Sequence, residues 1–506
     1  MPCENVHENM PQALSTETAD KGAARRTVLK NTAYLTFSQA ATVPLSVLIN
    51  ALTARYLGPE EFGLIYLANT FGSFGYLLFC WGHEGVLPAK IAPDHSLAGT
   101  LLGTSLAWRA AIACLVYPLL AALCHFLGNG SELQWALGIS FVGFVLTSFV
   151  AGCKDTIRGF ERADIPAYVH VGQQLLIAAL VAPALLLGGR MRSVLLVTDA
   201  ALVIVLVWIL GTLRSVGVGK LSVERGAMRS LFQGGMPFVF LGLAMALQPV
   251  IDGAFLTRLG SVEAVGWYAA ARKLIGLLLF PASALIGALY PTLCRLWIAD
   301  RDEFLRVTRD SLHSVALVVT PIALGCFLFP DLGILIFSKK AYGPAADDLR
   351  VLAAFLFLVY FTMPIGTCVL AAGRQRAWSI VQSLCVAVSL ILDPLLTPWF
   401  QAHYANGGLG PSVASVVSEL LVVTAGLYFM PAGVFDKRLR RTLLFTVSSG
   451  AAMGAVAWLL RSVTPFVAAP AAVLSYGAAL WLTGEVDRSH VEKVTGFVTR
   501  KLSRAR

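Results

Sequence analysis

Three basic side chains lie inside long apolar stretches of the sequence: Arg109, Arg272 and Lys273. A charge within the hydrocarbon layer of a membrane is costly and usually faces a cavity or an oppositely charged partner. The Arg guanidinium and the Lys ammonium both bind phosphate, and Arg does so through two parallel hydrogen bonds. The three residues therefore predict an anion-binding site in a dry cavity. Because Arg272 and Lys273 are adjacent, their side chains point about 100° apart on a helix, and both are not expected to face the same cavity.

Acidic residues occur in the same apolar setting: Asp199, Asp252, Asp393 and Glu419. A buried carboxyl group can exchange protons, and one that lies beside backbone carbonyls can bind Na⁺. Asp252 and Glu419 are the candidates for ion coupling, and Pro249 would free a backbone carbonyl close to Asp252. The alternative is structural, because Asp252 could neutralise Arg272 or Lys273 as an internal ion pair.

The apolar stretches define the class of protein. Fourteen runs each approach the roughly 20 residues that a helix needs to cross a bilayer. They lie near 31–54, 62–86, 99–126, 133–152, 165–187, 193–213, 235–257, 264–290, 312–336, 349–371, 377–400, 409–430, 442–460 and 465–484. Most of the 39 Lys and Arg residues fall in alternate connections, which predicts that both termini are cytoplasmic. The pattern predicts an all-α, multi-pass protein of the cytoplasmic membrane.

Composition agrees with this class and limits the partners. Charged residues make up 13% of the chain, against about 25% in soluble domains. The net charge of +10 lies beside the apolar runs, which favours anionic lipid headgroups over nucleic acid as a partner.

His83 has no second His at metal-ligand spacing, so with Glu84 it predicts a solvated interfacial pair rather than a metal site. The sequence predicts no metal site and no cofactor.

A short pattern recurs at an offset of about 200 residues. The first run leads into the turn 55–68 and the seventh into the turn 258–270, and each reads Arg, Leu-Gly, an acid, Gly, Tyr and then Ala. Both copies join a helix that runs outward to one that runs inward, so the repeat is parallel. Transporters are commonly built from repeated halves with the substrate site between them. Chance similarity of two Gly-rich turns is the alternative.

Charged residues flank both copies of this turn. Arg55 and Glu61 belong to the first copy, and Arg258 and Glu263 to the second. These four residues predict salt links that close an external gate. Charges that are simply solvated at an exposed turn explain the same pattern equally well.

The chain resembles a known family, the polysaccharide and oligosaccharide-lipid flippases of O-antigen and exopolysaccharide export. This family belongs to the multidrug/oligosaccharidyl-lipid/polysaccharide exporter superfamily. The similarity spans the first twelve runs and is carried by these segments: Leu57-Gly58-Pro59-Glu60-Glu61-Phe62-Gly63, Asp252 with Leu259-Gly260 and Val265-Gly266-Trp267-Tyr268, Pro281, Pro291, and Tyr342-Gly343-Pro344-Ala345.

The resemblance implies a fold of about 14 transmembrane helices, with two six-helix lobes and two additional C-terminal helices. It also implies a cavity lined by helices one, two, seven and eight, which makes Asp252 the better of the two ion-coupling candidates. The expected parts are a disordered cytoplasmic tail at 1–28, an N-terminal lobe at 29–214, a C-terminal lobe at 215–432, two additional helices at 433–484, and a cytoplasmic tail at 485–506 that is either an amphipathic helix or disordered.

The resemblance further implies alternating access that carries a polyprenyl-diphosphate-linked oligosaccharide from the inner to the outer leaflet. Arg272, with Arg109 or Lys273, would hold the diphosphate, and coupling to H⁺ or Na⁺ is expected. A polysaccharide polymerase or export complex is a candidate partner.

Two alternatives to a flippase remain. A multidrug or cation antiporter of the same superfamily is the first, and a membrane glycosyltransferase or polymerase is the second. The only sequence feature in favour of an enzyme is Asp300-Arg301-Asp302, which predicts a charged helix start in a short, Arg-rich connection. We therefore do not expect an enzyme.

Overall fold

The computed structural model describes residues 10–126, 130–337, 341–434 and 437–483, and within these ranges it contains helices and no strand. The helices are α1 (Met10–Cys80), α2 (His83–Ile91), α3 (Ala98–Phe126), α4 (Ser131–Gly159), α5 (Asp164–Leu186), α6 (Met191–Val216), α7 (Arg225–Leu259), α8 (Val262–Leu278), α9 (Phe280–Ala299), α10 (Arg301–Leu328), α11 (Pro330–Ile334), α12 (Ala345–Ala371), α13 (Gln375–Tyr404), α14 (Leu409–Phe429), α15 (Lys437–Leu459) and α16 (Pro465–Leu482). The all-α prediction is confirmed.

Eleven segments within the described residues are long and apolar enough to cross a membrane. One of them, Phe37–Ile91, covers the first two predicted runs, because α1 continues through the turn between them. Helix α7 and the pair α8–α9 occupy the seventh and eighth predicted runs and are outside the eleven. The predicted number of about fourteen spans is consistent with this arrangement and stays a prediction.

A glycine bends α1 at the first copy of the repeated turn. Gly58 has φ 78° and ψ 176°, the only non-helical conformation inside α1. Residues with a Cβ rarely adopt a positive φ, so glycine suits this position. The residue that follows, Pro59, has a fixed φ that is compatible with a new helical start. The turn that the sequence predicted is therefore a sharp bend between two helical segments.

The chain forms two compact units. Unit 1 contains residues 1–57 and 67–246, and unit 2 contains residues 58–66 and 247–506. All three boundaries fall inside helices, since α1 contributes 58–66 to unit 2 and α7 passes from one unit to the other after Ala246. The lobes predicted at 29–214 and 215–432 end instead at a connection between helices, and they stay a prediction.

In unit 1, α4 packs against α3 and α6, and α6 packs against α5. A buried apolar cluster that includes Leu102, Val150 and Ile209 joins these helices.

In unit 2, α12 contacts α8, α9, α10 and α14, so it lies at the centre of that unit. Since Gly366 on α12 and Gly426 on α14 have no Cβ, both helices can approach the Trp378 ring.

Helices α15 and α16 belong to unit 2 and pack against each other and against α10. The Tyr476 hydroxyl on α16 donates a hydrogen bond to the Leu317 carbonyl on α10 over 3.0 Å. This contact satisfies a polar group that would otherwise be costly in an apolar environment.

The terminal segments differ in how far the structure describes them. The structure places residues 10–28 in α1, where the sequence predicted a disordered tail. The predicted cytoplasmic tail at 485–506, for which a helix and disorder were both considered, lies outside the described residues.

Candidate functional site

A buried ion pair joins α7 and α8 in unit 2. Nη2 of Arg272 lies 3.2 Å from Oδ2 of Asp252. The Asp252 side chain is fully buried, whereas the Arg272 side chain is 17% exposed. Two charges inside a membrane helix bundle reduce each other's desolvation cost when they pair. The structure therefore shows the internal ion pair that the sequence offered as the alternative to a free anion site.

A tyrosine links the two charged groups. Tyr268 lies one helical turn before Arg272, and its hydroxyl donates to Oδ2 of Asp252 over 2.9 Å. The same hydroxyl accepts from Nε of Arg272 over 2.8 Å. Aromatic faces surround the cation as well, because Cζ of Arg272 lies 4.9 Å from the centre of the Phe355 ring. The guanidinium is therefore fixed on several sides.

The first repeated turn reaches this cluster through Tyr66. The Tyr66 and Tyr268 rings meet edge to face with centroids 6.2 Å apart. Nearby, the two copies of the repeat touch, because a Cβ on Gly63 would lie 2.8 Å from the Gly266 nitrogen. A Cβ on Gly266 would overlap the Pro59 carbonyl oxygen. The glycines of the repeated pattern thus permit a close helix contact within unit 2.

Helices α13 and α14 complete the polar cluster. The Asp393 carboxyl lies within hydrogen-bonding reach of Asp252. On α14, Ser415 Oγ accepts a weak hydrogen bond from Nη2 of Arg272 over 3.4 Å. Glu419 lies one turn further along α14, and its Oε1 is buried without a hydrogen-bond donor among the described residues. Three helices, α7, α13 and α14, therefore supply carboxylates to this part of unit 2, and that of Asp252 pairs with Arg272.

This arrangement leaves buried acceptor atoms unused. Several carboxylate oxygens of the cluster are buried and lack a hydrogen-bond donor among the described residues: Asp252 Oδ1, Asp393 Oδ1 and Oδ2, and Glu419 Oε1. Two carboxylates cannot hydrogen-bond to each other unless a proton or a cation lies between them. The cluster can therefore hold a cation beside Asp252 and Asp393, or a proton shared by them.

The other predicted anion-binding residues lie elsewhere. Lys273 is exposed on α8. Arg109 belongs to unit 1 and is only 1% exposed. Its Nη1 donates a hydrogen bond to the Ser148 carbonyl on α4, and its Nε has no hydrogen-bond partner among the described residues. The guanidinium packs against Gly152, since its Cζ lies 3.4 Å from the place where that residue would carry a Cβ. The structure does not bring Arg109 and Arg272 together within one unit.

The four residues of the predicted external gate lie near the two repeated turns. Arg55 is exposed before the bend in α1, and Glu61 is partly buried just after it. Arg258 is exposed in the last turn of α7, and Glu263 is exposed in the first turn of α8. Their role as a gate stays a prediction.

Sequence reasoning missed Tyr268 and Ser415. The spacing of Tyr268, four residues before Arg272, was the available signal, since such residues share a helix face. Ser415 had no such signal, and although the sequence marked Asp393 as an acidic residue in an apolar run, nothing placed it beside Arg272, because both residues are more than 100 positions from Arg272 in sequence.

The interpretation of His83 as solvated was wrong. The side chain is fully buried, and its Nδ1 lies 2.9 Å from Ser105 Oγ on α3. The chain leaves α1 through Trp81 at φ 48° and Gly82 at φ 67°, two positive φ angles that interrupt the helix before α2. Trp81 holds that unusual conformation by stacking on Phe232, with ring centres 5.1 Å apart.

The fold is similar to the folds of several transporters of known structure. A lipid II flippase, MurJ, in an inward closed conformation superposes with a TM-score of 0.72 at 13% identity, and the match covers 89% of this chain and 98% of that one. An inward-facing multidrug resistance transporter of the MATE family, MOP superfamily, gives a TM-score of 0.62 at 16% identity, with 79% and 94% of the two chains covered. No curated protein sequence matches the chain.

A MATE multidrug transporter, DinF-BH, gives a TM-score of 0.55 at 16% identity, over 81% of this chain and 96% of that chain. These likenesses concern the fold alone. The family model described as "Polysaccharide biosynthesis protein" matches residues 28–297. The resemblance predicted from the repeated turns is thereby confirmed, and the chain belongs to the polysaccharide biosynthesis protein family.

Proposed function

We propose that the protein flips a polyprenyl-diphosphate-linked oligosaccharide from the inner to the outer leaflet of the cytoplasmic membrane. The observation that carries this proposal is the Asp252–Arg272 pair, a cation in an apolar helix bundle that a carboxylate holds in place. A diphosphate offers the same kind of oxygen acceptors as a carboxylate, and it carries more charge. It is therefore a suitable competitor for the guanidinium.

The geometry supports an exchange of partners at Arg272. In the present arrangement, Nη2 of the guanidinium donates a hydrogen bond to Asp252, and Nε donates one to Tyr268. A proton or Na⁺ taken up at Asp252 and Asp393 would weaken the ion pair, since the carboxylate charge would then be neutralised. Arg272 would become free to bind diphosphate, and loss of the ion would restore the pair and release the substrate. This cycle makes Asp252 the coupling residue and Arg272 the substrate residue.

Glu419 has a secondary place in this proposal. It lies one turn from Ser415, with Oε1 buried and without a hydrogen-bond donor among the described residues. It can supply a further acceptor for the coupling ion. Arg109 and Lys273 stay candidates for contacts with the substrate, although Lys273 is exposed and Arg109 is packed in the interior of unit 1.

Membership of the polysaccharide biosynthesis family favours a lipid-linked saccharide as the substrate. The fold it shares with the MurJ lipid II flippase is consistent with a diphosphate lipid. The same fold also serves multidrug transporters, and the excess of carboxylates over bases in the cluster favours a cation antiporter as the second candidate. Anionic lipids and a polysaccharide polymerase or export complex are the partners that we propose.

The enzyme alternative gains nothing from its one sequence motif. Asp300 begins α10 by accepting hydrogen bonds from the backbone nitrogens of Asp302 and Glu303, at 3.1 and 3.0 Å. Arg301 lies over the Trp297 ring. The motif therefore caps a helix, as a charged helix start would.

The decisive experiment measures which leaflet holds lipid-linked oligosaccharides in cells that lack this protein. Complementation with the wild-type chain should relieve accumulation on the cytoplasmic face. Arg272→Ala should fail at normal membrane abundance, whereas Arg272→Lys should retain part of the activity. The matched control is Arg295→Ala, which removes an exposed charge on α9 to which the proposal gives no role, and it should complement fully.

Two results would contradict the proposal. Full complementation by Arg272→Ala would remove this residue from the site. Unchanged lipid intermediates together with altered sensitivity to cationic drugs would favour the antiporter. Coupling is tested separately, because flipping that persists after the proton and sodium gradients have both collapsed would exclude it.

A further inference from the structure

A cavity lies in unit 1, among α3, α4 and α6, and has a volume of about 900 Å³. Aromatic side chains from two helices form part of its wall: Tyr117 on α3, and Trp135 and Phe141 on α4. Asp199 on α6 is the one charged residue among the described residues that line it. The volume is within the range of small-molecule sites, about 300–1,000 Å³.

The Asp199 carboxylate has neither a hydrogen-bond donor nor an ion-pair partner among the described residues. The backbone opposite leaves room for it, because a Cβ on Gly143 would overlap Oδ1 of Asp199. The Asp199 carboxylate therefore fits against α4 because Gly143 has no side chain, and no basic side chain among the described residues pairs with it. An unpaired carboxylate within an apolar wall is costly, so an occupant with a positive charge would be favoured.

The first turn of α6 carries an arginine that already has an acidic partner. Arg192 pairs with Glu132 on α4 over 2.7 Å and lies 5.3 Å from the centre of the Trp135 ring. Asp199 follows Arg192 by seven residues, which is about 10 Å along a helix. The pair at the end of the cavity thus leaves the deeper carboxylate unmatched.

The depth and the walls restrict the chemistry of the occupant. A strongly hydrated headgroup with its own phosphate would have to be dehydrated to lie about two turns below the charged pair. A cation on an apolar body meets less resistance, and the faces of Trp135, Tyr117 and Phe141 would attract it through cation–π contacts. Gly138 on α4 also lines the cavity, and the Tyr117 hydroxyl lies 3.1 Å from the place where Gly138 would carry a Cβ.

We propose that this cavity, here called the Asp199 cavity, binds an amphiphilic organic cation, with the positive charge beside Asp199 and the apolar body against Tyr117 and Trp135. The site belongs to unit 1 and uses none of the side chains of the Asp252–Arg272 cluster. It is a binding site in addition to the proposed flipping of a lipid-linked saccharide.

The test uses the purified full-length chain in lipid nanodiscs and radiolabelled tetraphenylphosphonium as the probe. We expect saturable binding that Asp199→Asn weakens by at least about tenfold, the loss expected when one favourable charge interaction is removed. Gly143→Ala keeps the carboxylate but crowds it, so it should weaken binding too. Triphenylphosphine oxide, a neutral probe of similar shape, should bind weakly and equally to wild type and Asp199→Asn.

The control variant is Asp252→Asn, which should retain binding because its carboxylate lies in unit 2. Absence of saturable binding to the wild-type chain would overturn the proposal, as would equal affinity in Asp199→Asn. Loss of binding in Asp252→Asn alone would assign the cation to the other cluster and would also overturn it. The measurement involves no lipid-linked saccharide, so its failure leaves the proposed flipping intact.

Discussion

Two buried arginines, one in each unit, are held in different ways. Arg272 in unit 2 bonds to the side chains of Asp252, Tyr268 and Ser415 and keeps 17% of its side chain exposed. Arg109 in unit 1 is 1% exposed, and the described acceptor for its guanidinium is a backbone carbonyl, that of Ser148. A charge bound to ionisable side chains can change its partner, whereas one bound to the backbone cannot.

The comparison assigns different roles to the same residue type. The partners of Arg272 can gain or lose charge, so its interactions depend on ions and on substrate. Asp155, a carboxylate near Arg109, is already paired with Arg158 over 3.0 Å. We infer that Arg272 is the switching cation and that Arg109 contributes mainly to packing in unit 1.

The largest effect is expected from removal of the carboxylate beside Arg272. Asp252→Ala leaves a buried guanidinium without its charged partner, and breaking such a pair costs about 3 kcal/mol. The measurement is denaturation of the purified chain in detergent, followed by helical content. The double variant Asp252→Ala with Arg272→Met should recover much of the loss, because no unpaired charge remains. Equal stability of the single and double variants would show that the two groups are not coupled.

The sequence predicted the components of this site better than their arrangement. The apolar runs placed Asp252 and Arg272 inside helices, and the spacing of polar residues offered their pairing as one alternative. That Asp393 and Ser415 join them depends on how α13 and α14 pack in unit 2, which local patterns do not encode. The burial of Arg109 likewise depends on Gly152 on the neighbouring helix.

The division of the chain was harder to predict for a related reason. Charge alternation and loop length mark the ends of membrane spans, so the predicted lobes ended at a connection. The compact units divide α1 at Gly58 and α7 after Ala246. Hydropathy marks the turn at Gly58 but is continuous through Ala246, inside the seventh apolar run, so only the tertiary contacts identify that second boundary.

The second-largest loss of stability is expected at Gly266 in unit 2, and a smaller loss is expected at Gly152 in unit 1. Gly266→Ala would place a Cβ on the Pro59 carbonyl oxygen, and overpacking against a backbone costs about 2 kcal/mol. Gly152→Ala would place a Cβ 3.3 Å from Nη1 of Arg109, the end of a flexible side chain, and should cost less than about 1 kcal/mol. Thermal denaturation of both variants gives the order, and a greater loss in Gly152→Ala would reverse our view of the two contacts.

Replacing the second arginine tests whether its charge is needed. Arg109→Met keeps an apolar stem of similar length and removes a buried charge, an exchange that often leaves stability unchanged within about 1 kcal/mol. We expect folding and membrane abundance close to wild type, as judged by the same denaturation assay. Arg272→Met is the matched comparison and should lose flipping, because Asp252 would remain as a buried carboxylate without its cation. Loss of flipping in Arg109→Met at normal abundance would instead make Arg109 part of the substrate site.

The smallest effect on stability is expected from replacing two serines. Ser415 accepts a hydrogen bond from Arg272 through its side chain, whereas Ser148 accepts one from Arg109 through its backbone carbonyl. Ser415→Ala removes a side-chain acceptor 3.4 Å from Arg272, a long hydrogen bond whose loss should cost about 0.5 kcal/mol. Ser148→Ala keeps the backbone carbonyl that binds Arg109 and removes only the bond from its hydroxyl to the Val145 carbonyl. We therefore expect Ser415→Ala to change the ion dependence of flipping slightly and Ser148→Ala to leave it unchanged. If Ser148→Ala changed the ion dependence and Ser415→Ala did not, the switching arginine would be Arg109, and the roles inferred for the two units would be exchanged.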